Sequence, residues 1–144
     1  MRIAWFSPLP PDRSGIAAYS ADLLPLLGAH AIEAFVDDGA GLDAPRRVAA
    51  IEGVTIRGAH DFPWRQARTP YDLAVYHVGN DASHDYLWPY MVRYPGLVVL
   101  HDAQLHQARA QALIRQKRED DFRAEFAYSH PEASPLLADL VVAG

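Results

Sequence analysis

The chain contains no cysteine, which excludes a disulfide framework and any thiolate metal centre and suits a reducing cytoplasm, the expected location. Positive charge is scarce: 13 Lys and Arg face 18 Asp and Glu, for a net charge of -5. No basic run extends beyond "RQKR", so nothing tracks a phosphate backbone and nucleic acid is not expected as a partner. Long apolar runs are missing as well. Stretches such as "LVVL" fall far short of the roughly 20 residues that span a bilayer, and "MRIAWF" lacks a signal-peptide core, so neither a transmembrane segment nor export is expected. There is no internal repeat and no low-complexity segment. Neither G-x-G-x-x-G nor G-x-x-x-x-G-K-[ST] occurs, which removes the main support for dinucleotide and nucleoside triphosphate sites.

What is present reads as one α/β domain over residues 1–144. Half of the residues are hydrophobic and 22% are charged, the balance of a globular chain of single-domain size. Short apolar runs, "IAWF", "AIEAFV", "VTI", "LAVYHV" and "LVVL", read as about five strands. Helical spacing separates several of them. Ile16, Tyr19, Leu23, Leu24 and Leu27 share a face at 3.6 residues per turn, Ser14 is placed to cap that helix, and Pro25 should kink or shorten it. Strands apolar on both faces alternating with helices predict a doubly wound, Rossmann-like parallel sheet with helices on both faces. The carboxyl-terminal third reads as helical, from Ala103 to Tyr128 with a break near "RQKRED", then again over "SPLLADLVVAG". Phe122 and Phe126 form one apolar stripe there, as do Leu87, Tyr90, Met91 and Tyr94 further upstream. Most of "DDGAGLDAPRRVAAIEG" reads as loop.

In such a sheet, ligands bind at the carboxyl ends of the strands, where the strand order reverses. Right-handed crossovers set strand four between strands one and five, so the loops "SPLPPDRSG", "HVGNDASH" and "HDAQLH" converge on one cleft. Gly15 at a helix start lets backbone approach a ligand oxygen, with Ser14 beside it; the alternative is a helix cap and turn alone. His101 and Asp102 end a strand at an exposed mouth. The histidines and aspartates of these loops also admit a metal site or a metal-dependent phosphohydrolase, although the first strand ends in "WFSPLP" rather than Asp-x-His. The plainer expectation is that His77 packs within strand four while His84 and Asp85 cap a helix.

Together, "RIAWFSPLPPDRSGIAAYSADLLPLL", "YDLAVYHVGN", "PGLVVLHDAQLH" and "EFAYSHPEASPLLADLVVAG" resemble the amino-terminal domain of family-4 retaining glycosyltransferases of the GT-B fold. The resemblance implies transfer of a sugar from a nucleotide-sugar donor to the hydroxyl of a sugar or glycolipid-type acceptor, with the anomeric configuration retained and no cofactor. It implies that His101 sits by the donor sugar and reaction centre, that Gly15 lies by the donor diphosphate, and that Asn80 and His106 face the acceptor. The first loop carries Ser14-Gly15 where relatives carry a Gly-Gly pair. It further implies a second, nucleotide-binding domain beyond this sequence, so that the chain alone is expected to be an inactive fragment of a longer enzyme, at most peripheral to a membrane. If no further strand pairs with "LVVLH", that edge favours self-association unless the trailing helices cover it. The alternative to a transferase is a non-catalytic α/β binding or interaction module on the same fold.

Overall fold

A computed structural model describes residues 1–39 and 44–143. Five strands, β1 (Arg2–Phe6), β2 (Ala31–Val36), β3 (Val54–Gly58), β4 (Leu73–Val78) and β5 (Leu97–Leu100), form one sheet in the order β3-β2-β1-β4-β5. Every pairing is parallel. This is the doubly wound arrangement, and its order reverses between β1 and β4. The segments between strands carry α1 (Gly15–Leu23), α2 (Ala44–Arg47), α3 (Phe62–Arg68) and α4 (Trp88–Arg93), and α5 (His106–Arg115), α6 (Glu119–Ser129) and α7 (Pro135–Ala143) follow β5. Among the described residues no helix is long and apolar enough to cross a membrane.

Successive strand side chains alternate faces, which divides the sheet's core in two. Ala4, Phe6, Phe35, Ala74 and Tyr76 face α3, α4 and the turn before α4, with Phe62 of α3 and Leu87 of that turn buried among them and Tyr90, Met91 and Tyr94 packed partly buried alongside. Ile3, Trp5, Ile32, Ala34 and Val75 face the other way, against Leu24 and the flanking Leu23 and Leu27. Helices α5 to α7 gather around Phe122, Leu113 and Ala138, a smaller cluster that Phe126 joins.

Several local expectations hold, and one fails. Ser14 caps α1, its Oγ accepting from the Ala17 N–H at 3.1 Å. Pro25 ends the α-helix, and Leu24–Leu27 continues as a 3-10 turn. Between α5 and α6, Lys117 adopts φ 57° and the Arg118 N–H reaches back to the Leu113 carbonyl, a left-handed helix closure that glycine usually provides. Of the 37–53 stretch, residues 40–43 lie outside the described residues; the rest is loop apart from the single turn α2. The failure is Tyr19, which is 45% exposed rather than part of a buried stripe. The residues of α1 that face the sheet are Ala17 and Ser20, because the Ser20 hydroxyl accepts from the Trp5 indole and bonds Ser7 Oγ at 2.8 Å. That polar anchor turns the helix away from the face its apolar spacing favours.

One carboxylate ties the opposite layer together. Glu33 on β2 accepts from Arg65 at 2.7 Å, from the Tyr71 hydroxyl at 3.0 Å and from Arg57. Burial opposes its ionisation, but the hydrogen bonds from Arg65, Arg57 and Tyr71 outweigh it and hold the carboxyl at about 2. A depressed carboxyl contributes stability above its unfolded value and loses it as the pH falls through the folded one. The stabilisation at Glu33 is therefore expected to drain away between the ordinary carboxyl range and pH 2. Glu33→Gln should cost about 2 kcal/mol at pH 7 and flatten that acid limb, as measured by urea unfolding from pH 7 down to pH 2.

Candidate functional site at the carboxyl edge of the sheet

The loops leaving β1, β4 and β5 meet at the switch point. The turn after β1 runs through a cis Pro10–Pro11 bond; Asp12 then accepts from the Ser14 N–H at 2.9 Å. Ala17 and Ala18 are tied back to Ser14, whereas none of the hydrogen bonds of this turn engages the N–H groups of Gly15 or Ile16. A Cβ added at Gly15 would meet nothing within 4 Å. Gly15 is thus exposed and uncrowded, and the Gly15 and Ile16 N–H groups have no hydrogen-bond partner.

Gly79, directly after β4, has the opposite environment. A Cβ there would lie 2.6 Å from Ile16 Cδ1 and 2.7 Å from His84 Nε2, so the first turn of α1 and the end of β4 can approach only because this residue has no side chain. The ladder continues one step past β5, with the His101 N–H donating to the Val78 carbonyl at 2.9 Å.

Register brings the histidines together. His77 pairs with Val99, so His101, two residues beyond Val99 and one past the end of β5, lies on the same face of the sheet. His77 Nδ1 lies 2.9 Å from His101 Nε2. Trp5 packs on the His77 ring at 4.3 Å between centroids, and Tyr19 stands edge-on to His101 at 5.3 Å. His77 is fully buried, and burial first, then the neighbouring His101 and His84, hold it down at about 4. Burial and His84 lower His101 as well, with Asp102 opposing.

His77 thus packs within β4 as expected, but it also makes direct contact with the mouth residue. The cap is Asp81, which accepts from the Ser83 N–H at 2.7 Å, rather than His84 or Asp85. His84 lies inside the 3-10 turn Ala82–Leu87, buried, with Nδ1 donating to the His77 carbonyl at 2.9 Å. Asp85, in the same turn, has its carboxyl pushed up by burial. Tyr19 and the His77–His101 contact escape a reading by residue type because each depends on register and helix rotation.

The remaining candidates are placed as follows. Asp102 accepts from the Asn80 N–H at 3.0 Å, and Asn80 Oδ1 accepts from the Ala108 N–H at 2.9 Å; this chain of bonds staples the β4 and β5 loops to the start of α5. His106 lines a pocket of about 490 Å³ between α5 and α6, with Arg109, Phe122, Glu125, Phe126 and His130. Neither His101 nor Gly15 lines that pocket. A smaller crevice of about 290 Å³ lies between the β1 loop, the end of β2 and the turn after β4, lined by Leu9, Asp12, Val36, Asp37, Ser83 and Tyr86 among others, and neither His101 nor Gly15 lines it either. Among the described residues no group of three or more His, Asp or Glu side chains is arranged to hold a metal ion.

Compared with known protein families, curated proteins and solved structures, the chain matches none. The class that the fold defines is a Rossmann-like α/β domain.

Two measurements check this geometry. Gly15→Ala should leave the fold intact, while Gly79→Ala should cost about 1–3 kcal/mol by forcing Ile16 and His84 apart; chemical unfolding of both variants compares them. A histidine held neutral by the fold leaves the unfolded state binding more protons, so stability is full above about pH 6.5 and falls as the pH drops towards 4. His77 should account for about 3 kcal/mol of that loss, read as the shift in unfolding midpoint between pH 7.5 and pH 4.

Proposed function

We propose that this chain is the acceptor-side domain of a retaining glycosyltransferase, with His101 beside the sugar transferred from a nucleotide-sugar and the loops after β1 and β4 forming one wall of the cleft. What supports the reading is the convergence of Gly15's open helix start and His101 at the switch-point edge of a doubly wound sheet. Retaining transfer asks little of a protein base. Stabilising the departing phosphate and holding the acceptor hydroxyl in line supply much of the barrier reduction. His101 is accordingly an orienting and polarising group, and Gly15 a place where diphosphate oxygens approach backbone N–H donors.

In this reading the nucleotide is held mainly by a second domain, so the 144-residue chain transfers no sugar by itself and binds UDP- and GDP-sugars only weakly. Calorimetry and amide chemical-shift mapping test it together. The expected result is millimolar affinity with shifts centred on Gly15, Ile16, Tyr19 and His101. Micromolar binding, or shifts confined to the α5–α7 lobe, would sink the division of labour.

In the transferase that carries this domain, His101→Ala should lower turnover on the order of 100-fold with little change in KM, since the contact tightens as charge develops on the leaving group. Steady-state transfer assays with circular dichroism as the folding control decide this, and near-wild-type turnover in a folded variant rejects the role.

Self-association belongs to the same proposal. Leu97, Val98 and Leu100 of the edge strand β5 remain exposed, and such an edge pairs readily with a second copy. Sedimentation velocity should show concentration-dependent dimers that Val98→Lys abolishes.

A further inference from the structure

We infer that His77, sealed beneath the mouth, fixes the tautomer of His101, so that the cleft presents an imidazole N–H donor to its ligand and not a base. The ligand class rests on the transferase reading; the tautomer itself does not, and it can be measured without any ligand.

A single hydrogen lies between His77 Nδ1 and His101 Nε2, 2.9 Å apart, because two neutral imidazoles in contact have one donor and one acceptor at the shared position. If His101 donates, His77 must carry its own proton on Nε2. That atom is buried and has no hydrogen-bond partner, so the arrangement buries an orphan N–H. If His77 donates, its Nε2 is a bare lone pair and no donor is stranded. Orphaned buried N–H groups are the rarer and costlier defect, so His77 Nδ1 carries the proton and His101 Nε2 accepts it. Neutral His101 then has its own hydrogen on Nδ1, which makes no hydrogen bond within the protein and is not among the buried unpartnered atoms.

The surroundings give no competing partner. The charged or titratable groups around the pair are Asp102 at the end of β5, His84 and Asp81 from the turn after β4, and Tyr19 from α1. Asp102 accepts from the Asn80 N–H, and Asp81 from the Ser83 N–H and hydroxyl. His84 Nδ1 can only donate to the His77 carbonyl, and its Nε2 stands 3.7 Å from Asp81, too far for a hydrogen bond. No carboxylate orients His101 as it would orient a catalytic base. Protonating His101 would set N–H against N–H unless His77 moved its proton to the buried Nε2, and this adds to the effect of burial in keeping both rings neutral.

His77 is therefore a positioning residue, and the atom that meets His101 Nδ1 must be an acceptor. A sugar hydroxyl oxygen or a phosphoryl oxygen qualifies; a hydroxyl that must surrender its proton to this ring does not.

Long-range proton–nitrogen correlation spectra of the ¹⁵N-labelled 144-residue chain at pH 7.5 test the inference. The expected pattern has His101 protonated on Nδ1 and bare at Nε2, with His77 protonated on Nδ1. His77→Asn, whose amide nitrogen can reach the Nδ1 position and donate, should keep that pattern. His77→Phe, which fills the space without a donor, should return His101 to the Nε2–H tautomer preferred by a free imidazole and raise its titration midpoint. A role in packing alone would leave both observables unmoved. Wild-type His101 protonated on Nε2, or a folded His77→Phe with an unchanged tautomer, overturns the inference. Should His77→Phe fail to fold, the wild-type and His77→Asn spectra still decide it. The expected tautomer together with no shift response to UDP- or GDP-sugars would sink the transferase reading alone.

Discussion

The pairing of β4 between β1 and β5 is the constraint on which the whole carboxyl edge depends. Its parallel register sets Trp5 opposite Val75 and His77 opposite Val99, and one further bond, from His101 to Val78, extends the ladder into the loop. Because strand side chains alternate with a period of two, that register puts Trp5, His77 and His101 on the α1 face together. A slip of one residue would send His101 to the other layer. Close approach at both ends of the pairing depends on glycine. A Cβ at Gly96 would fall 2.3 Å from the Ala74 carbonyl oxygen, and one at Gly79 would strike Ile16 and His84.

The same low-dielectric interior treats two ionisable groups in opposite ways, and the difference is in their partners. Glu33 is ringed by guanidinium groups and a phenol that all donate to it, so charge is retained in spite of burial. His77 is buried against Trp5 and the His101 and His84 imidazoles, with no carboxylate hydrogen-bonded to it, so charge is refused. The first is a stabilising tie between β2, β3 and α3. The second leaves the Nε2 atoms of His77 and His84 buried without a hydrogen-bond partner beneath the carboxyl edge of the sheet, a defect that the fold carries at a cost.

Much of this architecture is legible in the sequence. The five apolar runs are the five strands, to within two residues at any end. Ser14 caps α1, Pro25 ends it, and the polar "RQKRED" stretch marks the gap between α5 and α6. Each of these is a local event, governed by backbone sterics, a missing N–H or hydrophobic period, and nearby residues suffice to encode it. The convergence of the β1, β4 and β5 loops also follows from the handedness of crossovers, a rule that needs only the order of elements.

Tertiary structure decided the rest. Apolar spacing points Tyr19 inward, but the Trp5–Ser20–Ser7 bonds turn α1 and leave Tyr19 beside the imidazoles. Residue type makes His84 a plausible cap, but Asp81 takes that role and His84 is buried on the His77 carbonyl. His77 and His101 are separated by a helix and a turn, and nothing in either neighbourhood announces that their nitrogen atoms meet. The sequence by itself determined which segments become strands and helices and which loops share an edge, because those depend on local sterics and hydrophobic period. Which polar groups are buried, and which atom each one finds as its partner, was left to strand register and helix rotation, since both are set by contacts between residues far apart along the chain.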